Sequence, residues 1–107
     1  MPKQGIIVLV PFPFTDLSAT KVRPALVLSV KPIKADVLVA FISSKHRKGD
    51  YDVLVSPSDA NGLKVPSVII CSKIATLEKN VLLGELGVAE QKVMKEVKSK
   101  LSTIFDL

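Results

Sequence analysis

Short apolar runs, separated by polar or proline-containing stretches, are the feature that most limits what this chain can fold into. The runs are rich in Val, Ile and Leu, and aromatic residues make up only 5% of the chain, a balance that favours strands. Strands this short and this close together are typical of a small antiparallel β-barrel rather than of βαβ units. The predicted strands are residues 5–10, 24–30, 36–42, 51–55, 67–74 and 81–86.

Prolines and turn residues set the expected limits of these strands. Pro11 and Pro13 are expected to end the first strand, because proline cannot donate a hydrogen bond to a neighbouring strand. Pro24 is expected at the first position of the second strand, where proline is tolerated. The third strand is almost continuously apolar, which predicts burial on both faces. Residues 56–62 are rich in turn formers and could hold one helical turn.

The last segment has a helical period instead. Val93, Val97, Leu101 and Ile104 recur at the spacing of one helix face, and four lysines lie away from this face: Lys92, Lys95, Lys98 and Lys100. This pattern predicts an amphipathic helix over residues 89–104 whose apolar stripe covers the barrel or a partner. No strong N-cap residue precedes it, so its first residue is not defined by the sequence.

The length and the charge of the chain limit the functions that it can have. With 107 residues, the chain is expected to form a single domain spanning residues 1–107. Residues 1–50 hold eight Lys or Arg against three Asp, whereas residues 51–107 hold seven of each sign, so the net charge of +5 lies in the first half. This asymmetry indicates a polyanion or an acidic protein as partner. The alternative is a set of ordinary surface lysines.

Scarce histidine and cysteine exclude several enzyme classes. One His and one Cys cannot form a four-ligand zinc site, and no glycine-rich phosphate loop or nucleophile elbow is present. Any catalysis should therefore need no metal and no cofactor. Cys71 lies in an apolar run and is expected to be a buried, inert thiol rather than a nucleophile.

The same composition suggests a location. A lone cysteine suits a reducing compartment, and the N-terminus lacks the layout of a signal peptide. No apolar stretch approaches the roughly 20 residues that span a bilayer. We therefore expect a cytoplasmic protein without membrane association.

One rim of the expected barrel collects groups suited to a phosphate. If the second and third strands pair antiparallel, Arg23 at the start of one lies beside Ser43 at the end of the other. The guanidinium offers a planar fork of donors, and the hydroxyl adds a short donor for developing charge. The alternatives are an Arg23 ion pair with Asp16 or Asp36 and a Ser43 that only ends its strand. The rim would also carry Lys21, Lys45, His46, Arg47 and Lys48.

Several blocks along the chain resemble the MazF/PemK toxins. Arg23-Pro24 leads into an apolar strand, as in that family, after an opening that contains Phe12-Pro13-Phe14-Thr15-Asp16. Further blocks follow in the family's order at residues 39–43, 62–68, 73–77 and 83–86. The resemblance therefore covers nearly the whole chain.

This resemblance implies an SH3-like barrel, a homodimer, metal-independent cleavage of single-stranded RNA at short sequences, and neutralisation by a small acidic antitoxin. Arg23 matches the family's catalytic arginine and Ser43 its catalytic threonine. By analogy the RNA 2′-OH attacks its own phosphate and leaves a 2′,3′-cyclic phosphate, while Arg23 stabilises the phosphorane and helps to move protons. RNA contacts are expected from Thr15, Lys21, Lys45, His46, Arg47, Lys73 and Thr76.

Departures from the family pattern keep other functions open. Ile70 and Ser72 stand where one branch carries an Arg/Asp pair, and serine replaces threonine at position 43. A non-catalytic protein that binds RNA or an antitoxin is therefore an alternative, and a gyrase poison of the CcdB type is a more distant one. His46 could be a general base, but an exposed or RNA-contacting role suits its basic neighbours better.

Overall fold

A computed structural model describes residues 2–12, 21–31, 33–45 and 48–107. Six strands form one sheet in the order β4-β5-β3-β2-β1-β6, and every pairing in it is antiparallel. A helix, α1, follows the last strand, and a single 3-10 turn precedes β6. The elements are β1 (Ile6–Phe12), β2 (Lys21–Val27), β3 (Asp36–Ser43), β4 (Asp52–Val55), β5 (Ser67–Glu78), the 3-10 turn (Lys79–Val81), β6 (Gly84–Val88) and α1 (Gln91–Phe105).

Apolar side chains are buried on both faces of this sheet. On the helix-covered face, Ile7, Leu26 and Ile69 pack with Val93 and Val97 of α1. A second cluster fills the opposite face, where the side chains come from alternate positions of β1, β2 and β3. The prediction that the third strand is buried on both faces is confirmed, because β3 contributes to both clusters. The members of the second cluster are Val8, Val10, Ala25, Val27, Val37 and Val39.

The two edge strands are joined through a loop rather than by strand pairing. Residues 56–66, here called the closure loop, connect β4 to β5 and lie against β6, where the Val88 N–H donates to the Ala60 carbonyl at 2.7 Å. The approach leaves no room for side chains: a Cβ on Gly87 would lie 2.3 Å from the Ala60 oxygen. A Cβ on Gly62, which has φ +71°, would lie equally close to the Leu86 oxygen. The sheet thus curls into a half-barrel, and the expected small, mainly β barrel fold with a C-terminal helix is confirmed.

Asn61 holds the closure loop in place. Its side chain is fully buried, and its Oδ1 accepts from the backbone N–H groups of Ser58 and Leu63 at 3.0 and 2.9 Å. Its Nδ2 donates to the Ser56 carbonyl at 2.9 Å and to Glu90 Oε1 at 3.2 Å. The Ser58 hydroxyl also donates to the Glu90 carboxylate. One amide therefore ties the loop to itself and to the residue that precedes α1.

Stability should depend on Glu90 in acid. The Ser58 hydroxyl, a backbone N–H and the Asn61 amide all donate to the Glu90 carboxylate and lower its pKa below the ordinary value of 4.5. Because the folded-state pKa is the lower one, this stabilisation is present above pH 4.5 and is lost as pH falls through the lowered pKa. We expect Glu90→Gln to melt below the wild type at neutral pH, with the difference shrinking under acid.

Thermal unfolding from neutral pH down to about pH 3 measures this effect. Glu85→Gln is the matched control, because Glu85 is an exposed carboxylate on the neighbouring strand. It should leave the shape of the pH dependence unchanged. A constant difference between wild type and Glu90→Gln at every pH would contradict the assignment.

Two expected strand limits at prolines are wrong. β1 does not end at Pro11 but continues to Phe12, and Pro11 pairs with Val22. This is tolerated because the β1–β6 pairing stops at Leu9, so Pro11 has no strand partner on that side. β2 likewise begins before Pro24 and ends at Val27.

Three other limits also differ from expectation. β5 runs beyond Ile74 to Glu78, and the last strand is Gly84–Val88, because Val81 belongs to the 3-10 turn. Residues 58–62 hold one isolated helical turn, as expected, because the Gly62 N–H donates to the Ser58 carbonyl at 3.0 Å. The Ser58 and Asn61 side chains also bind the backbone of this turn. The C-terminal helix is confirmed, and the residue before it, Glu90, makes no side-chain cap hydrogen bond.

Candidate functional site

β2 and β3 separate at the end of the sheet where Arg23 and Ser43 lie. Their pairing stops at Ala25 opposite Phe41, although continuing this register would place Arg23 opposite Ser43. Pro24 lies at the point of separation and has no N–H to donate. The predicted antiparallel pairing of these strands is confirmed, and it leaves an opening between Arg23 and Ser43.

A large bulge in β5 forms another side of this opening. Ala40 pairs with Ile74, but the next β3 residue, Phe41, pairs with Ile70, so residues 71–73 have no partner on β3. The Cys71 N–H instead donates to the Tyr51 carbonyl beside β4, at 3.2 Å. Such bulges bend a strand and re-aim its side chains. Here the bulge brings Lys73 to the opening.

Together these strands enclose a pocket of about 310 Å³. Arg23, Lys45 and Lys73 supply three positive charges, and among the described residues that line the pocket there is no carboxylate. The Lys45 backbone N–H donates to Ser43 Oγ at 3.1 Å, which fixes that oxygen at the end of β3. Three cations and a hydroxyl around one cavity form a site for an anion such as a phosphate. The walls are completed by Phe41, Ile42 and Ile70.

Arg23 also borders an apolar groove of about 320 Å³. Leu9 and Pro24 line this groove from β1 and β2, and Leu63 and Val65 of the closure loop line it from the other side. Ile42 is shared between the groove and the cationic pocket, like Arg23. Arg23 therefore separates a cationic cavity from an apolar one.

The structure brings together only part of the expected rim. Arg23, Ser43, Lys45 and Lys73 line one pocket. Lys21 and Lys48 are exposed and do not line it, and Thr76 pairs with Leu38, farther along β3 from Ser43. Thr15, His46 and Arg47 lie outside the described residues, as does Asp16. The roles of all these residues in RNA binding or catalysis stay predictions.

The proposed ion pair between Arg23 and Asp36 does not fit this arrangement. Asp36 begins β3 and pairs with Glu78, whereas the Arg23 pocket lies at the other end of the strand, beside Ser43. Arg23 is instead partly buried between the two cavities. An ion pair with this carboxylate therefore does not explain its position.

Two apolar walls and the bulge were not anticipated from the sequence. Phe41 and Ile70 look like ordinary members of buried strands, so nothing in their surroundings marks them as pocket residues. The sequence holds one weak indication of the bulge, because Ser72 and Lys73 are adjacent polar residues within a mainly apolar run. Regular alternation would not expose two neighbours in succession.

Other reactive groups lie away from the pocket. Cys71 is fully buried, and its burial together with the nearby Asp52 carboxylate raises the thiol pKa to about 11. The interpretation of Cys71 as a buried, inert thiol is confirmed. The described residues contain no cluster of His, Cys, Asp and Glu that could hold a metal ion. In that same part of the chain, no helix is long and apolar enough to cross a membrane.

This fold and pocket agree with a family of bacterial toxins. The family model for the PemK-like, MazF-like toxin of type II toxin-antitoxin systems matches residues 3–105. The chain therefore belongs to the PemK/MazF toxin family. No curated protein sequence matches it.

Solved structures of MazF-type proteins share the fold. An endoribonuclease from a mycobacterial species, solved in complex with its cognate antitoxin, has a TM-score of 0.80 at 24% identity, with 100% of this chain and 97% of that chain covered. A second mycobacterial endoribonuclease has a TM-score of 0.77 at 25% identity, covering 99% and 92%. Toxin MazF-mt6 of Mycobacterium tuberculosis has a TM-score of 0.77 at 26% identity, covering 95% and 97%. These similarities show that the chain shares the fold of MazF-type proteins over nearly its whole length.

Proposed function

We propose that the protein is a metal-independent endoribonuclease that cleaves single-stranded RNA at specific short sequences, as the toxin of a type II toxin–antitoxin pair. The observation that carries this proposal is the pocket that Arg23, Lys45 and Lys73 line together with Ser43, with no carboxylate on any described residue of its lining. A polyanion supplies the negative charge that such a pocket lacks. The apolar walls suit an unpaired nucleotide, because single-stranded bases can be splayed against hydrophobic and aromatic side chains.

The chemistry needs few groups from the protein because RNA carries its own nucleophile. The 2′ oxygen forms a bond to phosphorus, and the bond from phosphorus to the 5′ oxygen breaks. The products are a 2′,3′-cyclic phosphate and a 5′-OH. In the net reaction the 2′-OH loses its proton and the 5′ oxygen gains one. What remains for the protein is to align the RNA and to stabilise charge on the phosphoryl oxygens.

We assign these tasks to Arg23 and Ser43. The Arg23 guanidinium can present two parallel donors to two phosphoryl oxygens. Ser43 contributes a hydroxyl that contacts a further oxygen, and its Oγ is positioned by the Lys45 N–H. Serine keeps this contact although it lacks the methyl group that stiffens threonine.

Cleavage of a mixed single-stranded RNA by the purified protein in EDTA tests the proposal. We expect fragments with 2′,3′-cyclic phosphate and 5′-OH ends, produced at a short recurring sequence and dependent on Arg23. Salt-dependent RNA binding without cleavage of any sequence would instead support a non-catalytic RNA-binding protein. The apolar Ile70 in the pocket wall favours that second candidate, because it supplies no polar group to the reaction.

We also propose a homodimer and a small acidic antitoxin as its protein partner. Support for the antitoxin comes from the mycobacterial complex and from the cationic pocket, whose charges an acidic segment would complement. Light scattering at tens of micromolar should give twice the 11.5 kDa chain mass. A chain-sized mass at that concentration would contradict the dimer. An open reading frame beside the gene that encodes a small acidic protein would identify the antitoxin to be tested.

A further inference from the structure

We propose that Lys73 is a catalytic residue of this pocket, whose ammonium group stabilises the additional negative charge that the phosphate acquires in the transition state. The proposal rests on the proposed RNA cleavage and assigns Lys73 a role beyond affinity for RNA. It is carried by the β5 bulge, by the position of Lys73 relative to Arg23, and by the charge balance of the pocket.

The bulge determines where Lys73 lies. Ile70 and Ile74 pair with Phe41 and Ala40, which are consecutive residues of β3, so the three residues between them must leave the ladder. Cys71 turns into the core, whereas Ser72 and Lys73 are exposed. Lys73 is the one bulge residue that lines the pocket. A bulge beside a cavity is a common way of aiming one side chain at a reaction centre.

Lys73 and Arg23 approach the pocket from opposite sides. Arg23 belongs to β2 and Lys73 to β5, and β3 lies between these strands in the sheet. Phe41 of β3 lies between them in the pocket wall. A phosphate bound there would meet a cation on each side. No described residue that lines the pocket carries a carboxylate, so none of these residues competes with that phosphate for the two positive charges.

The reaction changes the charge that these cations must balance. An RNA phosphodiester carries a single negative charge, whereas the five-coordinate phosphorane formed by attack of the 2′ oxygen carries two. Arg23 can balance the charge that is present before the reaction begins. Lys73, the second cation, interacts with the phosphate most strongly as the phosphorane forms. Removing Lys73 should therefore lower the rate of cleavage more than the affinity for RNA.

Lys45 provides the comparison within the same pocket. Its backbone already serves the site through the hydrogen bond to Ser43, and its side chain is exposed at the end of β3. Lys45 follows Ser43 closely in the chain, whereas Arg23 and Lys73 belong to the two strands that flank β3. The Lys45 side chain is therefore expected to attract RNA, and Lys73 to act on the reacting phosphate.

Single-turnover cleavage, with protein in saturating excess over the mapped RNA, separates rate from affinity. We expect Lys73→Ala and Lys73→Gln to lower the rate constant roughly 10- to 100-fold, below the effect of a buried oxyanion donor because Lys73 is exposed. RNA affinity should fall only a few-fold, and Lys73→Arg should restore most of the rate. Lys45→Ala should weaken affinity with a smaller effect on the rate. Lys79→Ala, an exposed lysine outside the pocket, should change neither.

The pH dependence of the cleavage rate shows whether Lys73 acts electrostatically. Loss of an electrostatic contribution from Lys73 should lower the rate by the same factor at each pH, so the pH–rate slopes of wild type and Lys73→Ala should be parallel. Wild-type cleavage rates in Lys73→Ala and Lys73→Gln, or a loss confined to affinity, would overturn the proposal while leaving the proposed nuclease intact. Failure of the wild type to cleave any RNA would overturn both.

Discussion

Replacing Arg23 with alanine is expected to lower the single-turnover rate of RNA cleavage by about a thousandfold or more, the range seen when a transition-state arginine or oxyanion donor is lost. The reason lies in its position. Arg23 lines the pocket with Ser43 and Lys73, and among the described lining residues its guanidinium alone can give two parallel hydrogen bonds to a phosphate. Rate constants with one mapped RNA substrate measure the effect.

Arg23→Lys is the matched variant for this experiment. It keeps the positive charge but loses the planar fork, so it should retain part of the affinity and little of the rate. Because Arg23 also lines the apolar groove, thermal unfolding of each variant must show that the fold persists. A folded Arg23→Ala protein that cleaves at the wild-type rate would remove Arg23 from the mechanism.

Replacing Asn61 with alanine is expected to destabilise the protein by about 3 kcal/mol or more, because each buried group left without a partner costs roughly 1–3 kcal/mol. The Ser58 and Leu63 N–H groups would lose their acceptor, and the Ser56 carbonyl would lose its donor. The link between the closure loop and Glu90 would weaken at the same time. Chemical denaturation at neutral pH measures the free energy of unfolding.

Asn80→Ala is the matched control, since Asn80 is exposed in the 3-10 turn and should change stability by no more than about 0.5 kcal/mol. Asn61→Asp gives a second comparison. An aspartate can still accept from the two N–H groups, but it cannot donate to Ser56 and places a second carboxylate beside Glu90. It should therefore also be destabilised at neutral pH. A loss under about 1 kcal/mol in Asn61→Ala would show that the loop holds without this amide.

The sequence predicts the elements of this fold better than their limits. Apolar runs identified all six strands, and the spacing of Val93 and Val97 identified the helix face that is buried. The limits near Pro11 and Pro24 were wrong because a proline is harmful only where its missing N–H faces a paired strand. Whether it does so depends on neighbours that are distant in the sequence, such as β6 and β3.

The candidate site was predictable where it follows from a hairpin. The antiparallel connection of two strands was enough to bring Arg23 and Ser43 to one rim. The position of Lys73 was not deducible in the same way, because three extra residues in β5 change which neighbours it meets. Thr76 lies close to Lys73 in the chain but on the far side of the bulge, where it pairs with Leu38 and does not line the pocket. Its contact with RNA stays a prediction.

The pairing of the first strand with the last has a consequence for synthesis on the ribosome. Ile6 pairs with Val88, and Asn61 needs Glu90, so β1 lacks one neighbour and the closure loop lacks its anchor until most of the chain has been made. The cationic pocket can be assembled only after Lys73 has emerged. A translation product that stops before Gly84 therefore contains the pocket residues without β6 or α1 to complete the sheet and its core. Incomplete translation thus yields fragments that cannot form the complete fold.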